Sequence, residues 1–185
     1  MKTSNWIVIG ALGAVILFFL AFQFSIHDKV REGELRENAI QYTGNMISEI
    51  RNVSAFSKIS VTHGIEVFFK QDSITAVKVE ASGNLMPHIK TEVKHKKLII
   101  EKTKREQKED TVRIFVSNHQ LDSLQVSSAS YFETKGTVSG KDLVLQFTKD
   151  SNGNLELSYE SIKCSATPGS NVKIKGNTNQ IDFSN

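Results

Sequence analysis

The sequence predicts an all-β domain, a β-solenoid of stacked coils, preceded by one transmembrane helix. Three observations carry that expectation. An apolar run without charge lies near the start, the pattern switches to two-residue alternation beyond Arg51, and apolar residues recur every 19 positions in the last third. The 185 residues contain 23 Lys+Arg and 20 Asp+Glu, a net charge of +3, with eleven Phe, two Pro and one Cys. One cysteine excludes an intramolecular disulfide and a cysteine-rich zinc site. A charge of +3 is too small for a nucleic-acid footprint, so no nucleic-acid partner is expected. Eleven Phe within a 39% hydrophobic chain argue against disorder.

Residues 1–5 form a short tail. Residues 6–26 carry only Gln23 and Ser25 as polar members, and at about 1.5 Å per residue they span roughly 30 Å, one hydrocarbon core. A cleavable signal peptide has a shorter apolar region and ends on small residues. Here the exit reads Phe22, Gln23, Phe24, Ser25, Ile26, so the expectation is an uncleaved signal-anchor. Lys2 precedes the span while Lys29, Arg31 and Arg36 follow it, and the basic-residue count alone favours a cytoplasmic domain. Residues 27–50 are charged, with loosely helical apolar spacing broken at Gly33 and Gly44. They read as a stalk, helical near 34–42, with a flexible linker as the alternative.

From 51 to 185 the period is two. Ile59 and Val61, then Ile65, Val67 and Phe69, then Val77 and Val79, then Leu98 and Ile100, then Val112, Ile114 and Val116 alternate with polar neighbours, as half-buried strands do. Turns are expected at His63-Gly64, 71–73, 94–97 and 103–110. Further on, Leu124, Leu143, Ile162 and Ile181 are 19 residues apart, and Val126, Leu145, Cys164 and Phe183 keep that interval two positions later. A second set, Phe132 with Thr134, Leu155 with Leu157, and Val172 with Ile174, recurs less regularly. Such a repeat predicts coils that bury a narrow core only by stacking on one another.

Gly44-Asn45, Arg51, Val53, Phe56, Lys58, Ile59, Val61, Gly64, Ile65 and Val67 together resemble the start of the head GIN domain, the putative auto-transporter adhesin head domain frequent in Bacteroidetes envelope proteins. Residues 121–126 are similar to that family's strand leading into its coils, and 169–183 to one coil. The resemblance covers about 44–185. It departs where Ser and Asn replace the family's Gly-Ala-Gly corners. It implies a right-handed β-helix-like domain outside the cytoplasmic membrane, and it brings no catalytic residues. Against the basic-residue count, the location it implies is followed here: a single-pass inner-membrane protein with a periplasmic β-domain.

Residues able to carry chemistry read mainly as structure. Cys164 sits on the inward stripe and is expected to be a buried thiol. His27, His63, His88, His95 and His119 lack metal-site spacing, and no metal or cofactor is expected. Asp142, Asp150, Glu156, Glu160 and Asp182 are the carboxylates a polysaccharide-cleaving β-helix enzyme would need, and solvated surface is the favoured reading. Lys94, Lys96, Lys97, Lys102, Lys104, Arg105 and Lys108 carry seven positive charges against four from Glu101, Glu106, Glu109 and Asp110, which accounts for the whole net charge of +3. Lys94, Lys96, Lys97, Lys102, Lys104 and Arg105 are the candidate contact for anionic headgroups or acidic glycans, and a polar hairpin that keeps a strand edge soluble is the favoured reading.

These features predict a non-enzymatic, membrane-anchored envelope protein that presents its solenoid to a protein or glycan partner. That partner would meet a solenoid face or the C-terminal end. Just past the apolar rung at Phe183 an open edge needs a cap from a loop, a partner or a second copy, so a homo-oligomer is a further expectation. The alternatives are an accessory subunit of a membrane transport or signalling system and a carbohydrate-active enzyme on the same scaffold.

Overall fold

The computed structural model describes residues 45–103 and 111–184, all within one compact unit, 41–185. The anchor at 6–26 and the stalk helix near 34–42 lie outside the described residues. Among the described residues no helix is long and apolar enough to cross a membrane.

Twelve strands form one sheet: β1 (Met46–Arg51), β2 (Lys58–Val61), β3 (Glu66–Gln71), β4 (Ala76–Ser82), β5 (Ile89–Lys94), β6 (Lys97–Lys102), β7 (Arg113–Asn118), β8 (Ser123–Val126), β9 (Tyr131–Thr134), β10 (Val138–Phe147), β11 (Asn152–Ala166) and β12 (Asn171–Ser184). A single 3-10 turn, Met86–His88, is the only helical element among the described residues. The sheet order is β1-β4-β7-β3-β9-β11-β10-β8-β2-β6-β5, with β12 beside β11. The fold is all-β, as expected.

The long β11 divides this sheet into two arms. Its first residues pair with β9, whereas from Leu157 onward it pairs with β10, and β12 follows it along both arms. From β3 and β7 to β12 every step in the first arm is parallel, as is every step from β6 to β12 in the second. Antiparallel strands close the far end of each arm: β4 on β7 with β1 outside it, and β5 on β6. Alternation turns one side of each arm inward, and those side chains form a single core. Val67, Phe69, Ile114, Phe132 and Leu155 come from the first arm, and Ile59, Ile100, Leu124, Leu145 and Ile162 from the second. Each large side chain buried here is worth roughly 1.5–3 kcal/mol against exposure.

The repeat needs a correction in register. Leu143, Ile162 and Ile181 stack as expected, as do Leu145, Cys164 and Phe183, but Leu124 lies beside Leu145 and Val126 beside Phe147. The first step is therefore 21 residues, not 19. The two additional residues sit between Thr134 and Val138, where Gly136 adopts φ +88° and opens a small loop that the next coil lacks. A shift of two leaves every side chain on its own face, so periodicity alone does not distinguish the two registers. In the second set, Leu157 aligns with Val138, and Gly153 aligns with Phe132 and Val172. A Cβ on Gly153 would stand 2.7 Å from the Phe147 ring, which occupies the space left by the missing side chain.

Two strands were not expected. β1 falls within the segment assigned to the stalk. It is almost wholly exposed, so no burial pattern marks it, and its sequence alternation is weak. β5 buries Ile89 and little else. The corners between the arms carry another repeat, Ser127-Ser-Ala-Ser130, Thr148-Lys-Asp-Ser151 and Thr167-Pro-Gly-Ser170. Ser128 and Ala129, like Lys149 and Asp150, adopt positive φ, as do His63 and Gly64 one coil earlier. Left-handed backbone costs a non-glycine residue roughly 1–2 kcal/mol. Stacking offsets that cost: the Gly64 amide donates to the Ser128 carbonyl at 2.8 Å and the Ala129 amide to the Lys149 carbonyl at 2.9 Å. Fully buried Ser151 donates through Oγ to the Val126 carbonyl at 2.9 Å, and Ser130 Oγ accepts from the Ile65 amide at 3.4 Å.

Candidate functional site

The outward side of the first arm carries aromatic residues where alternation would normally place polar ones. Inward Val67, Phe69, Ile114 and Val116 leave Phe68 and Phe115 outside, directly opposite each other across β3 and β7. Their rings stack with centroids 5.3 Å apart, and the Tyr131 ring meets Phe68 edge-on at 6.4 Å. All three rings are half-buried by their neighbours and keep part of their surface open.

Charged pairs frame this row. Lys78 Nζ lies 4.5 Å from the Phe115 centroid and Lys135 Nζ 4.7 Å from that of Phe68. Each ammonium is also matched by a carboxylate, Glu80 at 2.7 Å and Glu133 at 2.7 Å, and Arg113 Nε lies 3.5 Å from Glu66. The hydrogen bond from Lys135 holds the Glu133 carboxyl below its ordinary range, and the Tyr131 hydroxyl donates to the same carboxylate at 3.1 Å. Burial first, then that carboxylate, pushes the Tyr131 phenol up. The face therefore offers an apolar strip with three ion pairs beside it. Sequence inspection could have found it: the outward positions Phe68, Phe115 and Tyr131 break an otherwise polar alternation, and only strand pairing shows that they are neighbours.

The basic hairpin is less basic than its composition. Lys94 and Lys97 face each other at its tip, where His95 and Lys96 adopt positive φ. Lys94 pairs with Glu92 at 2.7 Å, Lys97 Nζ donates to Gln125 Oε1 at 3.0 Å, and Lys96 is exposed. Lys102 corrects the surface assignment: it is only 4% exposed, because it shares the inward parity of Leu98 and Ile100 on β6. Lys104, Arg105 and Lys108 lie outside the described residues.

Of the carboxylates a polysaccharide-cleaving enzyme would need, Asp142 and Asp150 are not brought together. Asp142 precedes the run 143–147 and Asp150 follows it, and at about 3.3 Å per residue that run holds them well apart. Glu156 lies in β11, where Thr137 Oγ1 donates to it. Asp142 lines a cleft of about 470 Å³ with His119, Asp122, Gly140 and Lys141. A Cβ on Gly140 would clash with the ring of Tyr159, whose buried hydroxyl donates to the Leu121 carbonyl at 2.7 Å. Among the described residues no group of three or more His, Cys, Asp or Glu is placed to hold a metal ion. Cys164 is 3% exposed on the inward stripe, and burial raises its thiol pKa.

The chain is similar in structure to several solved bacterial proteins. A putative adhesin from Bacteroides fragilis superposes with a TM-score of 0.69 at 16% identity, over 76% of this chain and 66% of that one. One from Parabacteroides distasonis gives 0.60 at 20% identity, over 76% and 70%. A protein from Parabacteroides distasonis described as a putative lipid binding protein gives 0.57 at 14% identity, over 74% and 68%. The chain thus spans about two thirds of the length of these structures, and at such identities the likeness shows the fold alone. No curated protein matches it. The family model described as "Putative auto-transporter adhesin, head GIN domain" matches residues 55–185, and the chain belongs to that family.

Proposed function

We propose that this chain is an adhesin-like module of the cell envelope, anchored by residues 6–26 with the β-domain outside the cytoplasmic membrane, and that it binds a neutral glycan on the outward side of its first arm. The coils are taken to wind right-handed, as in the family it resembles. The observation that carries the binding assignment is the Phe68–Phe115 stack, an apolar strip on an otherwise polar face. The C–H face of a sugar ring packs against such rings, whose π-faces are weakly negative. Two lysines lie over the rings, yet an exposed cation–π contact is worth only about 0.5–1 kcal/mol, so a ligand displaces them at small cost. Both lysine side chains are about half exposed, at 43% and 51%, and each already pairs with a carboxylate, Glu80 or Glu133.

Charge balance decides between ligand classes. The three cations beside the rings each have a carboxylate within 3.5 Å, which offsets their attraction for an acidic polymer at the stack itself, and Lys173 and Lys175 lie farther along on β12. The alternating donors and acceptors suit hydroxyl groups. A glycan array probed with the full chain tests this: neutral oligosaccharides should bind, and Phe68→Ala/Phe115→Ala should abolish the signal while the far-ultraviolet spectrum stays unchanged. Binding confined to acidic glycans would refute the assignment. For placement, protease added to intact spheroplasts should cut the hairpin tip at 94–97; protection there would place the domain in the cytoplasm.

A further inference from the structure

The outer side of β12 has no strand against it among the described residues, and its sequence is complementary to itself in one antiparallel register. We propose that this edge pairs with the same edge of a second copy of the chain, about a two-fold axis passing between Asn177 and Thr178. This inference is independent of the glycan reading.

The free backbone groups of β12 decide how it can pair. In a parallel ladder the N–H and C=O of one residue point to the same neighbour. The Asn171 amide donates to the Ser151 carbonyl at 3.0 Å, so Asn171 and Lys173 address β11, and Val172 and Ile174 present their N–H and C=O to the open side. In the second arm the Val144 amide donates to the Asp122 carbonyl at 3.0 Å, and Val144, Lys163 and Asp182 share one register position. Asp182 therefore addresses β11, and Ile181 and Phe183 present theirs outward. The parity changes at the bend in 176–179, where pairing skips Asn179.

Antiparallel pairing sets free groups against free groups. About the stated axis Val172 stands opposite Phe183 and Ile174 opposite Ile181, all four with outward-pointing backbone groups and inward side chains. Lys173 stands opposite Asp182 at the closer, non-hydrogen-bonded position, and symmetry makes this ion pair twice. A shift of one residue sets free groups against occupied ones. A shift of two puts Gly176 against Ile181 or leaves Phe183 unpartnered. The first of these keeps Ile174 against Phe183 and Lys175 against Asp182, whereas the stated register alone joins two apolar pairs to a charge pair, and it extends the core over Phe183, now 68% exposed.

Cysteine cross-linking of the purified full chain in detergent tests the pairing. Non-hydrogen-bonded partners have Cα atoms about 4.5 Å apart, within disulfide reach. Within one chain residues 173 and 182 lie on different arms and cannot join. Under mild oxidation Lys173→Cys/Asp182→Cys, and a mixture of the two single variants, should form a covalent dimer, whereas either single variant alone should not. In ultracentrifugation Lys173→Glu should weaken dimerisation about tenfold through two like-charge contacts, and Lys173→Glu/Asp182→Lys should restore it. Monomer throughout, equal cross-linking of all variants, or no restoration by the charge swap would overturn the proposal.

Discussion

Replacing Gly153 by alanine tests the coil packing at the point where sequence periodicity misleads. Gly153 occupies the inward slot between Phe132 and Val172, and a methyl group there would stand 2.7 Å from both Cε1 and Cζ of Phe147. Phe147 is fully buried, so its ring has no solvent to move into. Overpacking of this kind costs about 1–3 kcal/mol. Phe147→Ala alone removes the ring and costs about 3–5 kcal/mol, transfer and cavity together. In the double variant the new methyl enters space the ring has left, so the combined loss should fall short of additive by about 0.5–3 kcal/mol. Urea unfolding of the four proteins at constant m-value measures each difference. Additivity to within about 0.5 kcal/mol would refute the reasoning, because it would mean that methyl and ring do not compete for one space.

Further outcomes follow from single groups. Tyr159→Phe should cost about 1–3 kcal/mol in the same assay, since it strands the buried Leu121 carbonyl that accepts from the Tyr159 hydroxyl. Gly176→Ala should destabilise the last coil: its φ is +117° and a Cβ would lie 1.9 Å from the Leu157 carbonyl oxygen, so protease should cut 167–184 before the rest of the domain. Cys164 should resist iodoacetamide at pH 8 in the folded protein and react once urea unfolds it, because burial raises its pKa and closes access. Glu133 has a folded pKa lowered first by the Lys135 hydrogen bond. Its contribution is present above the unfolded value near 4.5 and is lost as pH falls through the folded one, so Glu133→Gln should lessen the acid sensitivity of stability, modestly for so open a pair.

Much of the fold was legible because alternation reports which way a side chain points. Ile59, Val67, Ile114, Leu124, Ile162 and Cys164 are buried as the pattern required, and the turns at His63-Gly64 and His95-Lys96 fall where expected. Pairing is a different kind of information. A two-residue slip changes every neighbour without changing any face, and this is why the step from Leu124 was misjudged and why Gly153, a gap filled by Phe147 from another position, concealed a rung. β1 exposes Met46, Ile47 and Ile50 without alternating them, and β5 offers only Ile89 and Val93, so the period of each is weak. Pairing also hides the aromatic row: Phe68 and Phe115 are 47 residues apart in sequence and adjacent only through the β3–β7 register. Lys102 shows the converse, a charge assigned to the surface by its type although its parity placed it inside.

On the function proposed above, the first arm binds a neutral glycan through stacking, not through charge. Calorimetric titration of the full chain with a neutral oligosaccharide selected on the array, at 50 and 500 mM salt, tests it most directly. Counterion release would give an acidic polymer a steep salt dependence, whereas stacking on Phe68 and Phe115 predicts affinities equal to within about twofold and a loss of about tenfold or more in Phe68→Ala/Phe115→Ala. Affinity that collapses at high salt, or survives removal of both rings, would contradict the account.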